Sequence, residues 1–305
     1  MAPTATLAPF FLPMSLTLRS GCKVNLLLNI LGKRSDGFHE LETLLHPVGL
    51  YDELSFSLAD RGVQFTCSDP SLPLDGSNLV VKAANSFSTR CGMAGARIHL
   101  HKRIPAAAGL GGGSGNAATT LLGLNELFGK PLTDAALVEI AAGLGSDVPF
   151  FLQSKPALGL GRGEQVTVLD PFSCLSDVWI VLVRPNFGVS TPWAYQELVR
   201  YPVALNGRPG RASELIATLR SGDLPRACGL LYNSLEAPVL AKYPLLEVFQ
   251  EFFRKHQALV SLMSGSGSTT FALFDGEAAA QRAVNAIPAE FGDTNWIAAV
   301  PLVAS

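Results

Sequence analysis

The sequence predicts an α+β protein of two lobes, and two observations lead to that prediction. Strand patterns and helix patterns follow one another in separated groups, whereas a doubly wound sheet alternates them strictly. The 305 residues are enough for roughly two domains or one large one. Glycine and proline residues punctuate the passage from 159 to 171, so the predicted domains span 14–170 and 171–305.

The first half is predicted to begin with a strand and a hairpin. Apolar residues occupy every second position of 23–31, and Lys23 and Asn25 lie on the opposite face. This period is typical of a strand with one buried face. Asp36 and Gly37 then predict a tight hairpin turn.

A glycine-dense loop joins the next predicted strand to the next helix. The strand covers 96–102, and apolar residues recur at helical spacing over 117–128, with Gly129 placed to end the helix. Thr133 predicts the N-cap of a further helix, which Gly143 would stop.

The second half repeats the mixture of strands and helices. VWIVLV at 178–183 predicts a buried strand, and helical patterns follow over 213–220 and 236–255. The segment LVSLMSGSGSTTFALF at 259–274 predicts a strand, a glycine turn and a second strand.

Composition excludes several classes of protein. With 48% hydrophobic residues and a formal charge of −2, the chain does not resemble a disordered one. The 23 Lys and Arg against 25 Asp and Glu do not form the basic surface that nucleic acids need. The longest apolar runs fall short of the roughly 18–20 residues of a membrane helix. We therefore predict neither a nucleic-acid partner nor a membrane association.

Cysteine usage and the first residues bear on location. The five cysteines are scattered without CxxC spacing, which predicts reduced thiols and a cytoplasmic protein. Residues 1–13 contain no Lys or Arg and no small-residue cleavage pattern, so we expect a disordered extension and not a signal peptide. Translation could start at Met1 or at Met14.

The glycine loop, PAAAGLGGGSGN at 105–116, predicts a phosphate site. Five glycines in seven positions indicate close backbone approach or positive φ angles. Free N–H groups ahead of a helix favour an anion, whereas a flexible connector seldom lies between two well-patterned elements. The predicted phosphate-binding residues are Pro105, Ala106, Ala107, Ala108, Gly109, Leu110, Gly111, Gly112, Gly113, Ser114 and Gly115.

Better-known nucleotide motifs do not describe this loop. The sequence contains no GxxxxGK[ST], which excludes a Walker A loop. In the dinucleotide fingerprint the first glycines follow a strand directly, but residues 103–108 intervene here. The protein-kinase signatures HRD and DFG do not occur.

PxxxGLGGGS ahead of a helix resembles the central motif of the GHMP kinase superfamily, small-molecule kinases that cradle ATP phosphates with it. Three further segments are similar, in the same order, to motifs of the 4-diphosphocytidyl-2-C-methyl-D-erythritol kinase family of the non-mevalonate isoprenoid pathway. They are SGCKVNLLLNILGKRSDGFHELETL at 20–44, GLGSDVPFFL at 143–152 and MSGSGSTTFALF at 263–274.

The resemblance implies a fold, cofactors and a substrate. The N-terminal lobe would resemble ribosomal protein S5 domain 2, and the C-terminal lobe would be ferredoxin-like. ATP and Mg²⁺ would be the cofactors, with no metal site built from protein side chains. The partner would be a small molecule, methylerythritol linked to cytidine diphosphate, phosphorylated on its 2-hydroxyl by a monomer or homodimer.

Two catalytic residues follow from the resemblance. By pattern alone, Lys23 is an ordinary solvated lysine at a strand start, and Asp147 in GSDVP reads as a helix N-cap ahead of a first-turn proline. In the resembling family the matching lysine lies beside the reacting hydroxyl, and the matching aspartate accepts the hydroxyl proton.

The substrate pocket is assigned in the same way. The resemblance places Asn25 in the pocket, Phe38 against the cytosine ring and His39 at its edge, although a hairpin tip is ordinarily just exposed. Thr191 and Tyr195, in VSTPWAY, belong to the same pocket, with Tyr195 on the other ring face.

Other residues are weaker candidates. Asn78 and Lys102 match family positions near the nucleotide, although Asn78 could equally cap a helix. His99 and His101 lack a ligand pattern around them, which favours a solvated strand face over a metal site.

The sequence also departs from the family pattern and leaves alternatives open. Gly115 stands where the family has a second serine, and Cys22 lies in SGCK where SPAK is common. The alternatives are a GHMP kinase of the homoserine or mevalonate type and a catalytically silent nucleotide-binding protein of the same fold.

Overall fold

The computed structural model describes residues 15–302, and the predicted N-terminal extension lies outside them. In chain order the first half contains β1 (Ser15–Lys33), β2 (His39–Leu58), β3 (Gly62–Cys67), α1 (Leu79–Cys91), β4 (Gly95–His101), α2 (Gly112–Leu127), α3 (Asp134–Leu144), β5 (Ala157–Leu160) and β6 (Gln165–Val168). The second half contains β7 (Val178–Arg184), α4 (Thr191–Glu197), α5 (Pro202–Leu205), α6 (Arg211–Ser221), α7 (Leu224–Cys228), β8 (Tyr232–Asn233), α8 (Glu236–Lys242), α9 (Leu245–Lys255), β9 (Val260–Met263), β10 (Thr270–Asp275), α10 (Glu277–Phe291) and β11 (Trp296–Pro301).

The larger sheet is built around the long antiparallel pair of β1 and β2. Its strand order is β3-β4-β2-β1-β8, and β5 pairs with both β2 and β6. The pairing of β1 with β2 shifts register three times, once between Asn25 and Leu27. Such bulges re-aim side chains, and this one follows the two polar residues that sequence analysis assigns to the site.

The smaller sheet has the ferredoxin-like arrangement that sequence analysis predicts for the second lobe. Its order is β11-β7-β10-β9, and each neighbouring pair is antiparallel. The last strand of the unit therefore lies beside its first, as in a βαββαβ ferredoxin-like unit. The α+β, two-lobed fold class is confirmed.

The two halves of the chain share more than one connection. β8, from the second half, pairs in parallel with β1 of the first. The backbone N–H of Gly207 donates to the carbonyl of Ile30 at 2.7 Å. The boundary at 170/171 stays a prediction, and these contacts hold second-half residues against the strand that carries Lys23.

Several local predictions are confirmed. Gly37 has a φ of 86° at the hairpin tip, and the Arg34 N–H there donates to the Phe38 carbonyl at 2.8 Å. Thr133 caps α3 by accepting from the Ala136 N–H at 3.3 Å.

The predicted burial of the first strand and the predicted end of α3 are wrong. The strand predicted over 23–31 runs from Ser15 to Lys33 and is buried on both faces over 22–30, because β1 contacts α2 as well as α5 and α6. α3 ends at Gly145, not at Gly143. The helical patterns predicted over 236–255 are confirmed and form two helices, because Pro244, which has no N–H to continue the first helix, precedes the second.

No helix within residues 15–302 is long and apolar enough to cross a membrane.

Candidate active site

The glycine loop is half loop and half helix. Gly109 and Gly111 have φ angles of 77° and 69°, and Gly111 is the N-cap of α2. Residues 112–115, which sequence analysis counts as loop, form the first turn of α2. The backbone N–H groups of residues 111–114 have no partner within the helix, whereas that of Gly115 donates to the carbonyl oxygen of Gly111 at 2.9 Å. The N–H groups of 111–114 therefore allow this end of α2 to bind an anion.

Crowding explains why the loop needs glycine. A Cβ atom on Gly109 would lie 2.1 Å from the carbonyl oxygen of Ser264, and one on Gly111 would lie 2.9 Å from Cζ of Phe151. Ala107, near the start of the loop, has a φ of 51°, a conformation that costs free energy in a residue with a Cβ atom. The loop is therefore held in one strained conformation by its neighbours.

Gly115, which stands where the family has a second serine, packs against β1. A Cβ atom at this position would lie 2.4 Å from the carbonyl oxygen of Gly21 in β1 and 3.2 Å from Oγ of Ser20. Position 115 thus faces the sheet, on the buried side of α2, and its side chain would not extend toward the phosphate site.

Gly115→Ser should therefore destabilise the protein and not improve ATP binding. Overpacking of this kind costs about 1–3 kcal/mol, which thermal unfolding would detect as a lower Tm. Gly143→Ser is a matched control, because a Cβ atom on Gly143 meets nothing within 4 Å. An unchanged Tm combined with tighter ATP binding in Gly115→Ser would contradict this interpretation.

Lys23, Asn25 and Asp147 meet at one point beside the loop. Lys23 is buried, and its Nζ lies 3.7 Å from Oδ2 of Asp147. It donates to Oδ1 of Asn25 at 2.6 Å and to the carbonyl oxygen of Gly109 at 3.2 Å. Asn25 in turn donates to Oγ1 of Thr43 at 2.8 Å, which fixes the orientation of the amide. The ammonium group is thereby aimed at the space beside the loop.

The structure excludes the helix N-cap interpretation of Asp147. A short 3₁₀ helix runs from Pro149 to Leu152, and its N-cap is Val148. Asp147 is therefore not that cap. Its side chain is 41% exposed, so a carboxylate oxygen can reach a ligand in the cavity while Lys23 stabilises its charge.

Lys102 belongs to a buried polar cluster that sequence analysis missed. Its Nζ forms an ion pair with Asp52, which is fully buried, and donates to Oδ1 of Asn116 at 3.2 Å. Asp52 also accepts from the backbone N–H groups of Arg103 and Ile104 at 2.7 and 2.9 Å. The cluster fixes the chain as it enters the glycine loop, and Asp52 balances the charge of Lys102.

Asn78 caps a helix, the alternative that sequence analysis left open. Its side chain accepts from the Val80 N–H at 2.9 Å and donates to the carbonyl oxygen of Pro73 at 2.8 Å. The start of α1 still lies close to the loop, because a Cβ atom on Gly113 would be 3.6 Å from Cδ1 of Leu79.

A cavity of about 740 Å³ brings Lys23 and Asp147 together with other predicted site residues. Its lining includes Lys23, Asn25, Phe38, His39, Gly109, Gly111, Asp147, Thr191 and Tyr195. The structure thus brings together residues from β1, the hairpin tip, the glycine loop and α4, although they are far apart in sequence.

Aromatic side chains line the part of this cavity at the hairpin. The rings of His39 and Tyr195 lie 5.2 Å apart with a tilt of 41°. Phe38 is 53% exposed, and the guanidinium carbon of Arg162 lies 4.5 Å from its ring centroid. Burial, followed by the charge of Asp147, raises the pKa of Tyr195. Burial, followed by the charge of Lys33, lowers the pKa of His39, so its ring is neutral near pH 7.

The two strand histidines lie away from this cavity. Oγ1 of Thr66 hydrogen-bonds Nδ1 of His99 at 2.8 Å on an exposed face. Among the described residues, no group of three or more His, Cys, Asp or Glu side chains could hold a metal ion.

Comparison with known proteins identifies the family. Residues 78–155 match the GHMP kinases N terminal domain, and residues 215–293 match the GHMP kinases C terminal domain. A 4-diphosphocytidyl-2-C-methyl-D-erythritol kinase of Geobacter sp. (strain M21) is 42% identical over 287 residues, 93% of this chain and 97% of that protein. The chain belongs to the 4-diphosphocytidyl-2-C-methyl-D-erythritol kinase family of GHMP kinases.

Solved structures agree with this family. A crystal structure of 4-(cytidine 5'-diphospho)-2C-methyl-D-erythritol kinase is 33% identical, has a TM-score of 0.76, and the match covers 94% of this chain and 99% of that one. A homoserine kinase from Cytophaga hutchinsonii has a TM-score of 0.75 with 21% identity, over 97% of this chain and 98% of that one. The second likeness shows the fold alone. Membership of the GHMP kinases implies the use of ATP.

Proposed function

We propose that this kinase transfers the γ-phosphoryl group of ATP to the 2-hydroxyl of 4-diphosphocytidyl-2-C-methyl-D-erythritol. The observation that carries the proposal is the position of Lys23 and Asp147, 3.7 Å apart in a cavity that has the glycine loop on one side and the aromatic hairpin tip on another. A phosphate donor at the loop and a nucleotide-linked alcohol at the hairpin would both reach this pair.

The residues have separate tasks in this reaction. Asp147 orients the 2-hydroxyl and accepts its proton, while the hydroxyl oxygen attacks the γ-phosphorus and the bond from that phosphorus to the ADP oxygen breaks. In a loose phosphoryl-transfer transition state, positioning and charge stabilisation contribute most of the rate enhancement. Lys23 supplies the positive charge, and the backbone N–H groups at the start of α2 hold the phosphates.

The oxygen donors near the loop fit Mg²⁺. This ion prefers a few carboxylate or hydroxyl oxygens together with phosphates and water. Ser114 lies half-buried in the first turn of α2, so its hydroxyl oxygen would be available to the ion with ATP. Bound there, Mg²⁺ would neutralise charge on the phosphates.

A coupled assay of ADP release tests the proposed substrate. The purified protein is supplied with ATP, Mg²⁺ and either the cytidyl substrate, homoserine or mevalonate. We expect turnover with the cytidyl substrate alone. Turnover with homoserine or mevalonate instead would replace the proposal with one of the other GHMP activities, and no turnover with any alcohol would favour the silent nucleotide-binding protein.

Phe38→Ala should raise the KM for the cytidyl substrate about tenfold and leave the KM for ATP unchanged. Stacking of a base on an aromatic ring contributes about 1–3 kcal/mol, and about 1.4 kcal/mol corresponds to a factor of ten. Steady-state kinetics with each substrate varied in turn measures both constants.

Phe38→Tyr serves as the control for this experiment, because it keeps the ring and should keep both constants near their wild-type values. Equal increases of the two KM values in Phe38→Ala would show that the residue does not act through the base.

A further inference from the structure

The turn at 264–267, between β9 and β10, contacts both sides of the cavity. Oγ of Ser264 donates to the carbonyl oxygen of Gly109 in the glycine loop at 2.9 Å. Oγ of Ser266 lies 2.6 Å from Oγ1 of Thr191, which lines the substrate part of the cavity. The turn therefore contacts the glycine loop through Ser264 and the substrate part of the cavity through Ser266.

The same turn lies directly beside Lys23 and Asn25. A Cβ atom on Gly265 would lie 3.2 Å from the carbonyl oxygen of Gly109, 3.4 Å from Oδ1 of Asn25 and 3.5 Å from Nζ of Lys23. A displacement of a few tenths of an ångström in the turn would therefore change the surroundings of the Lys23 ammonium group.

The side chain of Asn233 hydrogen-bonds the backbone at this turn. Its Nδ2 donates to the carbonyl oxygens of Met263 and Gly265, both at 2.8 Å. Its Oδ1 accepts from the Leu235 N–H at 2.9 Å. The side chain is only 2% exposed, so water cannot replace these bonds if they are lost.

Asn233 is itself fixed to the strand that carries the catalytic lysine. It lies in β8, where it pairs with Leu28 of β1. Glu236, at the start of α8, accepts from the N–H of Met263, the last residue of β9 before the turn, at 2.7 Å. A continuous set of hydrogen bonds thus runs from β1 through Asn233 to the turn and on to Gly109.

We propose that Asn233 is a positioning residue for phosphoryl transfer, which fixes the 264–267 turn relative to Lys23 and the glycine loop. The inference rests on the proposed kinase reaction, but not on the identity of the alcohol. Asn233 acts through the turn and supplies no group to the substrates, so its loss should lower kcat more than it changes either KM.

The test compares Asn233→Ala and Asn233→Asp with the wild type. Alanine removes both donors, and aspartate places a carboxylate opposite two carbonyl oxygens. We expect kcat per folded molecule to fall at least tenfold in Asn233→Ala and further in Asn233→Asp, while each KM changes less than threefold. The assay is run at low temperature, with the folded fraction measured by circular dichroism.

Asn125→Ala is the matched control. Asn125 is also buried. Its Nδ2 donates to the carbonyl oxygen of Leu132 and its Oδ1 accepts from the Leu132 N–H, both at 3.0 Å, but it lies at the far end of α2. We expect a lower Tm and an unchanged kcat per folded molecule for this variant. If Asn233→Ala behaves in the same way, Asn233 is merely structural and the proposal is overturned.

A double-mutant cycle with Ser264→Ala gives a second measurement. If both residues act through the position of the loop, the double variant should lose little more kcat than the more impaired single variant. Multiplicative losses would overturn the proposal.

Should the wild type turn over another alcohol, the same ratios of kcat are measured with that alcohol. An error in the proposed substrate then stays separate from an error in the role of Asn233. Should Asn233→Ala fail to fold, wild-type kcat in Ser264→Ala would overturn the proposal.

Discussion

Asp147→Asn should fold like the wild type and lose kcat by about 10³-fold. A positioned general base contributes about 10²–10⁴-fold to a reaction, and an asparagine amide cannot accept the hydroxyl proton. The substitution preserves shape at a side chain that is 41% exposed and caps no helix, since Val148 is the N-cap of the following turn. Thermal unfolding and ADP release, measured on the same preparation, separate stability from turnover.

Asp170→Asn provides the control for charge, because Asp170 is exposed and does not line the described cavity. It should retain wild-type kcat. Near-wild-type ADP release by Asp147→Asn would show that Asp147 is not the proton acceptor, and Lys23 alone would then have to account for activation of the hydroxyl.

The glycine loop could be found from sequence because its signal is local, whereas Lys23 and Asp147 are assigned only through the resemblance of the short segments that contain them. Glycines at close spacing, a lysine two residues before an asparagine, and an aspartate ahead of a proline are all visible within short segments. The structure adds the distance of 3.7 Å between Lys23 and Asp147, which no local pattern contains.

Residues that act through tertiary contacts could not be found in this way. Asp52 is a single aspartate in a strand. Nothing in the sequence around it indicates that it accepts hydrogen bonds from the N–H groups of Arg103 and Ile104. Arg162 reaches Phe38 only because the turn between β5 and β6 is held beside the hairpin, where the Leu41 N–H donates to the Gly161 carbonyl at 2.8 Å.

The wrong prediction for β1 has the same physical origin. Alternation of polar and apolar residues normally marks one buried and one solvated face. In β1, however, Lys23 and Asn25 on the polar face line the cavity. Lys23 and Asn25 are each 4% exposed because the glycine loop and the 264–267 turn cover them. A buried lysine beside a carboxylate is a costly arrangement for stability, which is consistent with a role in chemistry.

Gly109→Ala should lower kcat/KM for ATP by about 100-fold and also lower the Tm. The residue has a φ of 77°, which alanine adopts only with strain. Its Cβ atom would lie 2.1 Å from the carbonyl oxygen of Ser264, so the loop and the 264–267 turn must move apart. Displacement of a positioning group by about 1 Å can cost about 10²-fold in rate.

The control for this substitution is Gly143→Ala, within α3, where a Cβ atom meets nothing within 4 Å. Alanine is favoured over glycine in a helix by up to about 1 kcal/mol, so this variant should melt at the same or a higher temperature with unchanged kinetics. Because Lys23 also donates to the Gly109 carbonyl oxygen, the displaced loop in Gly109→Ala should lower kcat as well as raise the KM for ATP. A rise in KM alone would show that the loop binds phosphate without positioning Lys23.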